Sequence, residues 1–424
     1  MKPRVLPGPL SGLAADVEVP TSKSITNRAL IAAAASGGGR IERPLDCHDT
    51  RVLAEALRTA GWHLEWGSAV EVGGRTIPDE PPVLDLADSG TGARLLLGLL
   101  CVMPGGATIT GSARLRERPM SPLCDALASL GARIRSTGGR LPVTVEGAEL
   151  EGGALTLRPE SSSQFVSSLL LAAPLMRRGL DLVVEGPLPS APYLDLTEDV
   201  LRAFGSGVLA SADRRHWTVP PGSLRPAAVT VEGDWSAAAF ALAAVAVAGG
   251  RIAVGPLHRA SRQGDRAIVE ILGGAGLDLG WEGDRLVAHG PLTRPIVADL
   301  GHTPDLFPAL AAVAACVPPG SRMSGLEHLA YKESDRLRTM VENLGRLGAE
   351  LGVTNSTLVV VSSLERIAGP PRPVVAAGDH RIAMAMAVAA LGGGTLALDD
   401  GSCVGKSFPD FWDMWARLTE LPPA

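Results

Sequence analysis

The sequence predicts an α/β protein built from six repeated units in two groups of three, and three observations carry that expectation. The first is size. A chain of 424 residues exceeds the roughly 250 to 300 residues at which a single core stops growing, so two domains or an array of repeats is expected. The second is composition. Apolar residues make up 46% and aromatics only 4%, so Ala, Leu and Val must fill the interior, and Gly and Pro scattered between short apolar runs punctuate many short elements. The third is period. Six small-residue apolar helices each run to a glycine, and Gly39, Gly106, Gly179, Gly250, Gly320 and Gly394 recur about every 70 residues.

Taken in order, the six helices are Ser24–Gly39, Gly90–Gly106, Ser163–Gly179, Ser236–Gly250, Asp305–Gly320 and His380–Gly394, each closed by a glycine suited to a left-handed C-cap. A second helix-turn-strand follows most of them, with helices ending in Leu53–Gly61, Leu127–Gly131, Val200–Gly205, Ile271–Gly276 and Leu344–Gly348. A sixth member, Phe411–Leu418, is helical in pattern but has no strand after it. The N-terminal segment can supply that strand, so that the chain closes on itself. A boundary between the two groups falls near residues 225 to 232, where Arg225-Pro226 precedes a new strand.

The formal charge of −6 argues against a general nucleic-acid binder, which needs a basic stripe, but leaves room for a small anion held by local cations. The five cysteines, at 47, 101, 124, 316 and 403, have neither CxxC spacing nor a partnered His pattern, so neither zinc nor a disulfide frame is suggested and a reducing cytoplasm fits. The N-terminus lacks the apolar core of a signal peptide, and the apolar runs reach a glycine too soon to span a membrane. Two tempting motifs fail. Gly205-Ser206-Gly207-Val208-Leu209-Ala210 follows a helix instead of a strand, and Gly401-Ser402-Cys403-Val404-Gly405-Lys406-Ser407 has Asp400 where a P-loop requires its first glycine. Lys406 stays a candidate ligand, with a surface lysine as the alternative.

Polar residues gather at the starts of the repeated helices. Pro20-Thr21-Ser22-Lys23-Ser24-Ile25-Thr26-Asn27-Arg28 packs two cations and four hydroxyls into a helix start, where unpaired N–H groups favour a phosphate or carboxylate, and Arg28 falls one turn after Ser24. Gly90-Thr91-Gly92-Ala93-Arg94 repeats the spacing. Ser161-Ser162-Ser163-Gln164, Asp305 and Asp379-His380-Arg381 open three further helices. A capping role explains any one of these, whereas five in six equivalent places favour a shared anion site. Arg114-Leu115-Arg116-Glu117-Arg118-Pro119 and Tyr331-Lys332-Glu333-Ser334-Asp335-Arg336 add cations beyond the needs of one phosphate. Asp305 and Glu333 are candidates for acid-base work, because carboxylates among cations are held ionised and positioned for proton transfer; balancing nearby arginines is the alternative role.

Eight blocks, in order, carry a resemblance. They are Ser22-Lys23-Ser24 with Asn27-Arg28, Ser89-Gly90-Thr91 with Arg94, Arg116-Glu117-Arg118-Pro119, Ser162-Ser163-Gln164-Phe165, Glu232-Gly233-Asp234, Lys332-Glu333-Ser334-Asp335-Arg336, Asp379-His380-Arg381 and Lys406-Ser407-Phe408-Pro409-Asp410. Through them the chain resembles the 5-enolpyruvylshikimate-3-phosphate synthase family over nearly its whole length. The resemblance implies an inside-out barrel of two domains, each of three βαβαββ units, placed at 14–228 and at 1–13 plus 229–424, with a hinge near 13–20 and 225–232 closing over the substrates. It implies that Ser24, Arg28, Ser162, Ser163, Gln164, Ser190, Asp305 and Lys332 hold shikimate 3-phosphate. Lys23, Gly90, Arg118, Gln164, Arg336, Arg381 and Lys406 would hold phosphoenolpyruvate, and His328 stands where Asn often contacts substrate. Lys23 joins Asp305 and Glu333 as a catalytic candidate.

The implied reaction adds the 5-hydroxyl to C2 of phosphoenolpyruvate, protonates C3, and expels phosphate from a tetrahedral intermediate, with no metal or organic cofactor, in a cytoplasmic monomer. Glyphosate, which occupies the phosphoenolpyruvate site in this family, should be admitted, because sensitive members carry Gly at the position of Gly90. Thr21, Asp88, Leu95 and His328 depart from the commoner Gly, Asn, Pro and Asn, and the charge of Asp88 would oppose an anion unless it is engaged by a neighbour. The rivals are enolpyruvyl transfer to a UDP-amino sugar, whose Lys-Asn pair is here Lys23-Ser24, and a non-enzymatic six-unit clamp on nucleic acid.

Overall fold

The computed structural model describes residues 2–159, 162–222, 224–366 and 369–420; Ser161, placed above in a polar helix start, lies outside them. The chain divides into an N-terminal unit, Thr21–Glu232, and a C-terminal unit, Met1–Pro20 with Gly233–Ala424. Three helices pack together in the middle of each. In the N-terminal unit these are α1 (Lys23–Ala35), α2 (Gly90–Val102) and α3 (Gln164–Ala172). In the C-terminal unit they are α4 (Trp235–Ala248), α5 (Phe307–Cys316) and α6 (His380–Gly393). Beyond their polar first turns their sequences are apolar on every side, and a helix without a polar face belongs inside a core; Ala29 to Ala34 of α1 are wholly buried. Small residues permit close approach. A Cβ on Gly98 of α2 would fall 2.5 Å from Ser168 Oγ of α3.

Around these helices lie, among the described residues, five four-stranded sheets and one three-stranded sheet. The pattern recurs: Val83–Asp85 runs parallel to Ala107–Thr110, which pairs antiparallel with Arg140–Glu146, itself antiparallel to Arg133–Thr137. With α2 and the helix Ser121–Ser129 this is one βαβαββ unit. The three-stranded sheet closes the series, because Arg4–Leu6 pairs antiparallel with Leu396–Leu398 and so supplies the strand missing after Phe411–Leu418.

Two leading strands come from far along the chain. Leu13–Glu18 pairs in parallel with Gly250–Gly255, and Ala228–Thr230 with Gly39–Glu42. These pairings tie 14–18 to the C-terminal unit and 229–230 to the N-terminal one, so the boundaries expected at 13/14 and 228/229 move to 20/21 and 232/233. α6 runs to Gly393 with Gly394 as its cap, as the glycine spacing suggests, but other central helices stop sooner. α1 ends at Ala35 and Gly39 already opens a strand. α4 is capped by Gly249, at φ +73°, where a Cβ would press on Pro291 Cδ at 2.9 Å. Asp305 precedes α5, which starts at Phe307 with Pro308 in its first turn, where an absent N–H costs nothing.

Candidate functional site

In the N-terminal unit, the polar start of α1 is not an ordinary capped helix. Its N-cap Ser22 makes no capping bond, and the buried Ser22 Oγ has no hydrogen-bond partner. Lys23 Nζ stands 3.0 Å from Asp49 Oδ2, on the helix His48–Thr59. Arg28 is fully buried and held by neutral groups. Its Nε donates to Thr197 Oγ1 at 2.9 Å, Nη1 to the Ser24 carbonyl at 3.0 Å and Nη2 to Ser167 Oγ at 3.3 Å, and its guanidinium lies 5.7 Å from the Tyr193 ring. Burial pulls its pKa down to about 10, partly countered by Tyr193.

The start of α2 follows the same plan. Ser89 Oγ caps it by accepting from the Gly92 N–H, and Arg94, one turn in, donates from Nη1 to Gln164 Oε1 at 2.8 Å and Ser162 Oγ at 3.3 Å, and from Nη2 to the Pro119 carbonyl at 3.2 Å. Gln164 Nε2 donates in turn to Thr91 Oγ1 at 2.8 Å, so the starts of α2 and α3 are tied together. Burial, then the like charge of Arg118, pushes Arg94 well below the ordinary arginine pKa. Neither Arg28 nor Arg94 pairs with a carboxylate among the described residues. Gly90 makes room for Arg118: a Cβ there would fall 2.1 Å from Arg118 Nη1. Ser163 Oγ donates to the carbonyl of Ser190 at 3.1 Å. Asp88 is exposed and accepts from Ser112 Oγ, so its charge is engaged by a hydroxyl, and Leu95 is wholly buried in α2.

The C-terminal unit brings its residues together through ion pairs. Asp379 caps α6 by accepting from the Arg381 N–H at 3.0 Å and takes Arg336 Nε at 2.7 Å and Ser334 Oγ at 3.1 Å. Arg336 Nη1 reaches Asp305 Oδ1 at 2.7 Å, and Arg381 Nη2 reaches Asp305 Oδ2 at 3.0 Å. Asp305 is thus clasped by two arginines while its side chain stays 19% exposed. Burial alone would push its carboxyl up, but Arg381, Arg336 and Lys332 together outweigh burial and hold it well below the usual range. The same carboxylates raise Arg336 against its burial. Glu333 bridges His380 Nδ1 at 2.8 Å and Lys406 Nζ at 3.3 Å.

His328 is buried in the turn Glu327–Tyr331, with Nε2 lacking a hydrogen-bond partner. Burial first, then Lys332, lowers its pKa to about 4, so the ring is neutral near pH 7. Glu333, Asp379 and His380 each offer one ligand atom within 4.8 Å of the others, the one such grouping among the described residues that could hold a metal. A cation there would have to displace Lys406 from Glu333 and Arg336 from Asp379.

Lys23, Ser24, Arg28, Gly90, Ser162, Ser163, Gln164 and Ser190 therefore lie at or just before helix starts of the N-terminal unit, Arg118 follows the end of the short helix Ala113–Glu117 and approaches Gly90, and Asp305, His328, Lys332, Glu333, Arg336, Arg381 and Lys406 lie in the C-terminal unit. Sequence reading missed Asp49, Thr197 and Ser167 as partners of the cations. It placed Asp379 at the start of a helix, where an aspartate ahead of an apolar run is a capping signal, but not as a partner of Arg336.

A family model described as EPSP synthase (3-phosphoshikimate 1-carboxyvinyltransferase) matches residues 8–415. The chain is 39% identical over 404 residues to the 3-phosphoshikimate 1-carboxyvinyltransferase of Methanoculleus marisnigri, covering 93% of this chain and 94% of that protein. It is 40% identical over 428 residues to that of Syntrophobacter fumaroxidans, covering 97% and 98%. Among solved structures, an EPSP synthase from Acinetobacter baumannii superposes with a TM-score of 0.78 at 27% identity, over 99% of this chain and 98% of that one. The enolpyruvyl transferase NikO from Streptomyces tendae shares the fold, with a TM-score of 0.76 at 22% identity, over 98% and 97%.

Proposed function

The chain belongs to the EPSP synthase family, and we propose that it transfers the enolpyruvyl group of phosphoenolpyruvate to the 5-hydroxyl of shikimate 3-phosphate, releasing phosphate, as a cytoplasmic monomer of the shikimate pathway. The observation that carries the assignment of residues is the pair of buried arginines, Arg28 and Arg94, that meet no carboxylate among the described residues. A desolvated cation held by neutral hydroxyl, amide and carbonyl groups is relieved by an anion. Arg28, with Ser24, Ser162, Ser163, Gln164 and Ser190, takes shikimate 3-phosphate, joined by Asp305 and Lys332. Lys23, Gly90, Arg118 and Gln164, with Arg336, Arg381 and Lys406, take phosphoenolpyruvate. No described helix is long and apolar enough to cross a membrane.

The addition asks for one proton removed and one supplied. Asp305, ionised between Arg336 and Arg381, accepts the proton of the attacking 5-hydroxyl as oxygen bonds to C2. Glu333, between His380 and Lys406, and Lys23 are the groups suited to deliver a proton to C3. Loss of phosphate from the tetrahedral intermediate, with the C3 methyl returning a proton to the group that supplied it, then restores the enol ether, the cations stabilising the charge on the leaving group. Phosphate release from phosphoenolpyruvate is the test. It should depend on shikimate 3-phosphate and not on a UDP-amino sugar; release that requires the UDP-amino sugar, or that ignores both acceptors, would overturn the assignment.

A further inference from the structure

One buried carboxyl in the C-terminal unit has no part in the scheme above. Asp265 sits in the single turn Gly264–Ala267 and is 3% exposed. Gln263 clamps that turn to the start of α4: its Oε1 accepts from the Trp235 N–H at 3.2 Å, its Nε2 donates to the Gly233 carbonyl at 2.8 Å, and its own N–H donates to Ser261 Oγ at 3.1 Å. Held in this way, Asp265 Oδ2 meets Ser236 Oγ, while Oδ1 is buried with no hydrogen-bond partner.

The charged groups facing Asp265 are Asp305, Arg381 and, at the cap of α4, Asp234. On its own turn and the following helix, Arg266 and Glu270 face each other at 3.6 Å with exposed side chains. Two like charges therefore oppose ionisation, and Arg381, the cation that favours it, is already bound to Asp305 at 3.0 Å. A carboxylate with an unmet buried oxygen is costly, and the group escapes that cost by keeping its proton.

We propose that Asp265 is a positioning residue that works as a neutral acid: protonated, it leaves Arg381 to Asp305 and to phosphoenolpyruvate, and on losing its proton to solvent it adds a negative charge that opposes binding of that anion. Burial, followed by the charge of Asp305, raises its proton loss to about 7, inside the pH range in which such an enzyme is assayed. The inference rests on reading Arg381 as a phosphoenolpyruvate ligand.

The experiment measures KM for phosphoenolpyruvate and kcat against pH for the native enzyme, Asp265→Asn, Ser236→Ala and Arg381→Lys. Ionisation of phosphoenolpyruvate itself is common to all four and cancels in ratios. The ratio of native to Asp265→Asn KM should rise about 3- to 10-fold between about pH 6 and pH 8.5, since one pKa unit corresponds to tenfold. The kcat ratio should stay flat. Ser236→Ala removes a hydrogen bond that favours the ionised carboxyl, so its rise in KM should move to higher pH. A constant KM ratio for Asp265→Asn, or an unmoved profile for Ser236→Ala should Asp265→Asn fail to fold, overturns the role of Asp265 alone. An unchanged KM in Arg381→Lys overturns the ligand assignment, and this inference with it.

Discussion

The two units solve the burial of arginine in opposite ways. In the N-terminal unit Arg28 and Arg94 are surrounded by hydroxyls, an amide and carbonyls, and their charge is weakened by burial. In the C-terminal unit Arg336, equally buried, is bonded to both Asp305 and Asp379 and its charge is reinforced. The first arrangement offers those arginines no carboxylate among the described residues, and the proposed function has an anion supply the missing charge. The second is nearly neutral as it stands and can lend a carboxylate to proton transfer. The difference teaches that a cluster of conspicuous arginines does not define one kind of site; the groups opposite them decide whether they bind or brace.

The largest effect should come from removing the carboxylates of the paired cluster. Glu333→Gln and Asp305→Asn should each lower turnover about 100- to 10,000-fold, the usual cost of losing a positioned acid or base. The two should part in stability. Glu333→Gln keeps its packing and most of its hydrogen bonding, so its thermal midpoint should stay close to native. Asp305→Asn withdraws a charge from two arginines and should melt earlier. Near-native turnover in either variant would remove that residue from the chemistry.

Next in size is a direct contest between the units. Arg336→Met leaves Asp305 and Asp379 buried without their shared partner, and breaking a buried pair from one side costs about 3 to 5 kcal/mol. Arg28→Met removes a charge that has no carboxylate, and the hydroxyls left behind already bond each other, Thr197 Oγ1 to Ser167 Oγ at 2.9 Å, so the unliganded protein should lose no more than about 1 kcal/mol. Shikimate 3-phosphate should then stabilise the native protein but not Arg28→Met. Urea unfolding with and without that ligand measures both. Equal losses in the two variants would erase the distinction drawn here.

How much of this arrangement can be read from the sequence depends on how far apart its partners lie. The six central helices are legible because an all-round apolar run ending near a glycine has one sensible location. Lys23, Arg28 and Arg94 are legible because they stand at helix starts. Their partners are not: Thr197 and Ser167 lie 169 and 139 residues from Arg28, and nothing in an isolated serine or threonine announces such a contact. Asp265 is the extreme case, a common residue in a short turn whose role follows only from what folding places around it. The borrowed strands Leu13–Glu18 and Ala228–Thr230 escape for the same reason, since pairing is chosen by neighbours and not by the strand alone.

A smaller effect sets two groups of the C-terminal unit against each other by pH. His328 is neutral in the fold because burial, then Lys332, lowers its pKa to about 4, against about 6.5 unfolded. Its contribution is present above the unfolded value and is lost as pH falls from there toward about 4, by at most about 3 kcal/mol. Asp265, raised to about 7, acts with the opposite sign: its contribution is complete below the unfolded carboxylate value and is lost as pH rises through about 7. Between about pH 4 and pH 6.5 the two contributions run in opposite directions and offset each other, so thermal midpoints should fall more steeply with rising pH in His328→Asn and rise more steeply in Asp265→Asn. Slopes unchanged in both variants would mean that these groups titrate as they do in the unfolded chain.

The least expected change comes from one methyl group in the N-terminal unit. A Cβ on Gly90 would fall 2.1 Å from Arg118 Nη1 and 2.7 Å from Arg118 Cζ, closer than any real contact, so Gly90→Ala must move the Arg118 guanidinium. That side chain is flexible and can yield, which is why the fold should survive with its midpoint nearly unchanged. What cannot stay the same is the position of a cation assigned to phosphoenolpyruvate. Forcing a methyl into a filled site costs about 1 to 3 kcal/mol, equivalent to roughly 5- to 150-fold in affinity. Glyphosate, competing for the same site, should lose affinity by that factor in Gly90→Ala, and the KM for phosphoenolpyruvate should rise with it because both anions meet the displaced Arg118. Inhibition constants measured against phosphoenolpyruvate decide the matter. An inhibition constant that weakens while KM is untouched would mean that the methyl meets the inhibitor itself instead of acting through Arg118, and equal constants in both proteins would place Gly90 away from the inhibitor altogether.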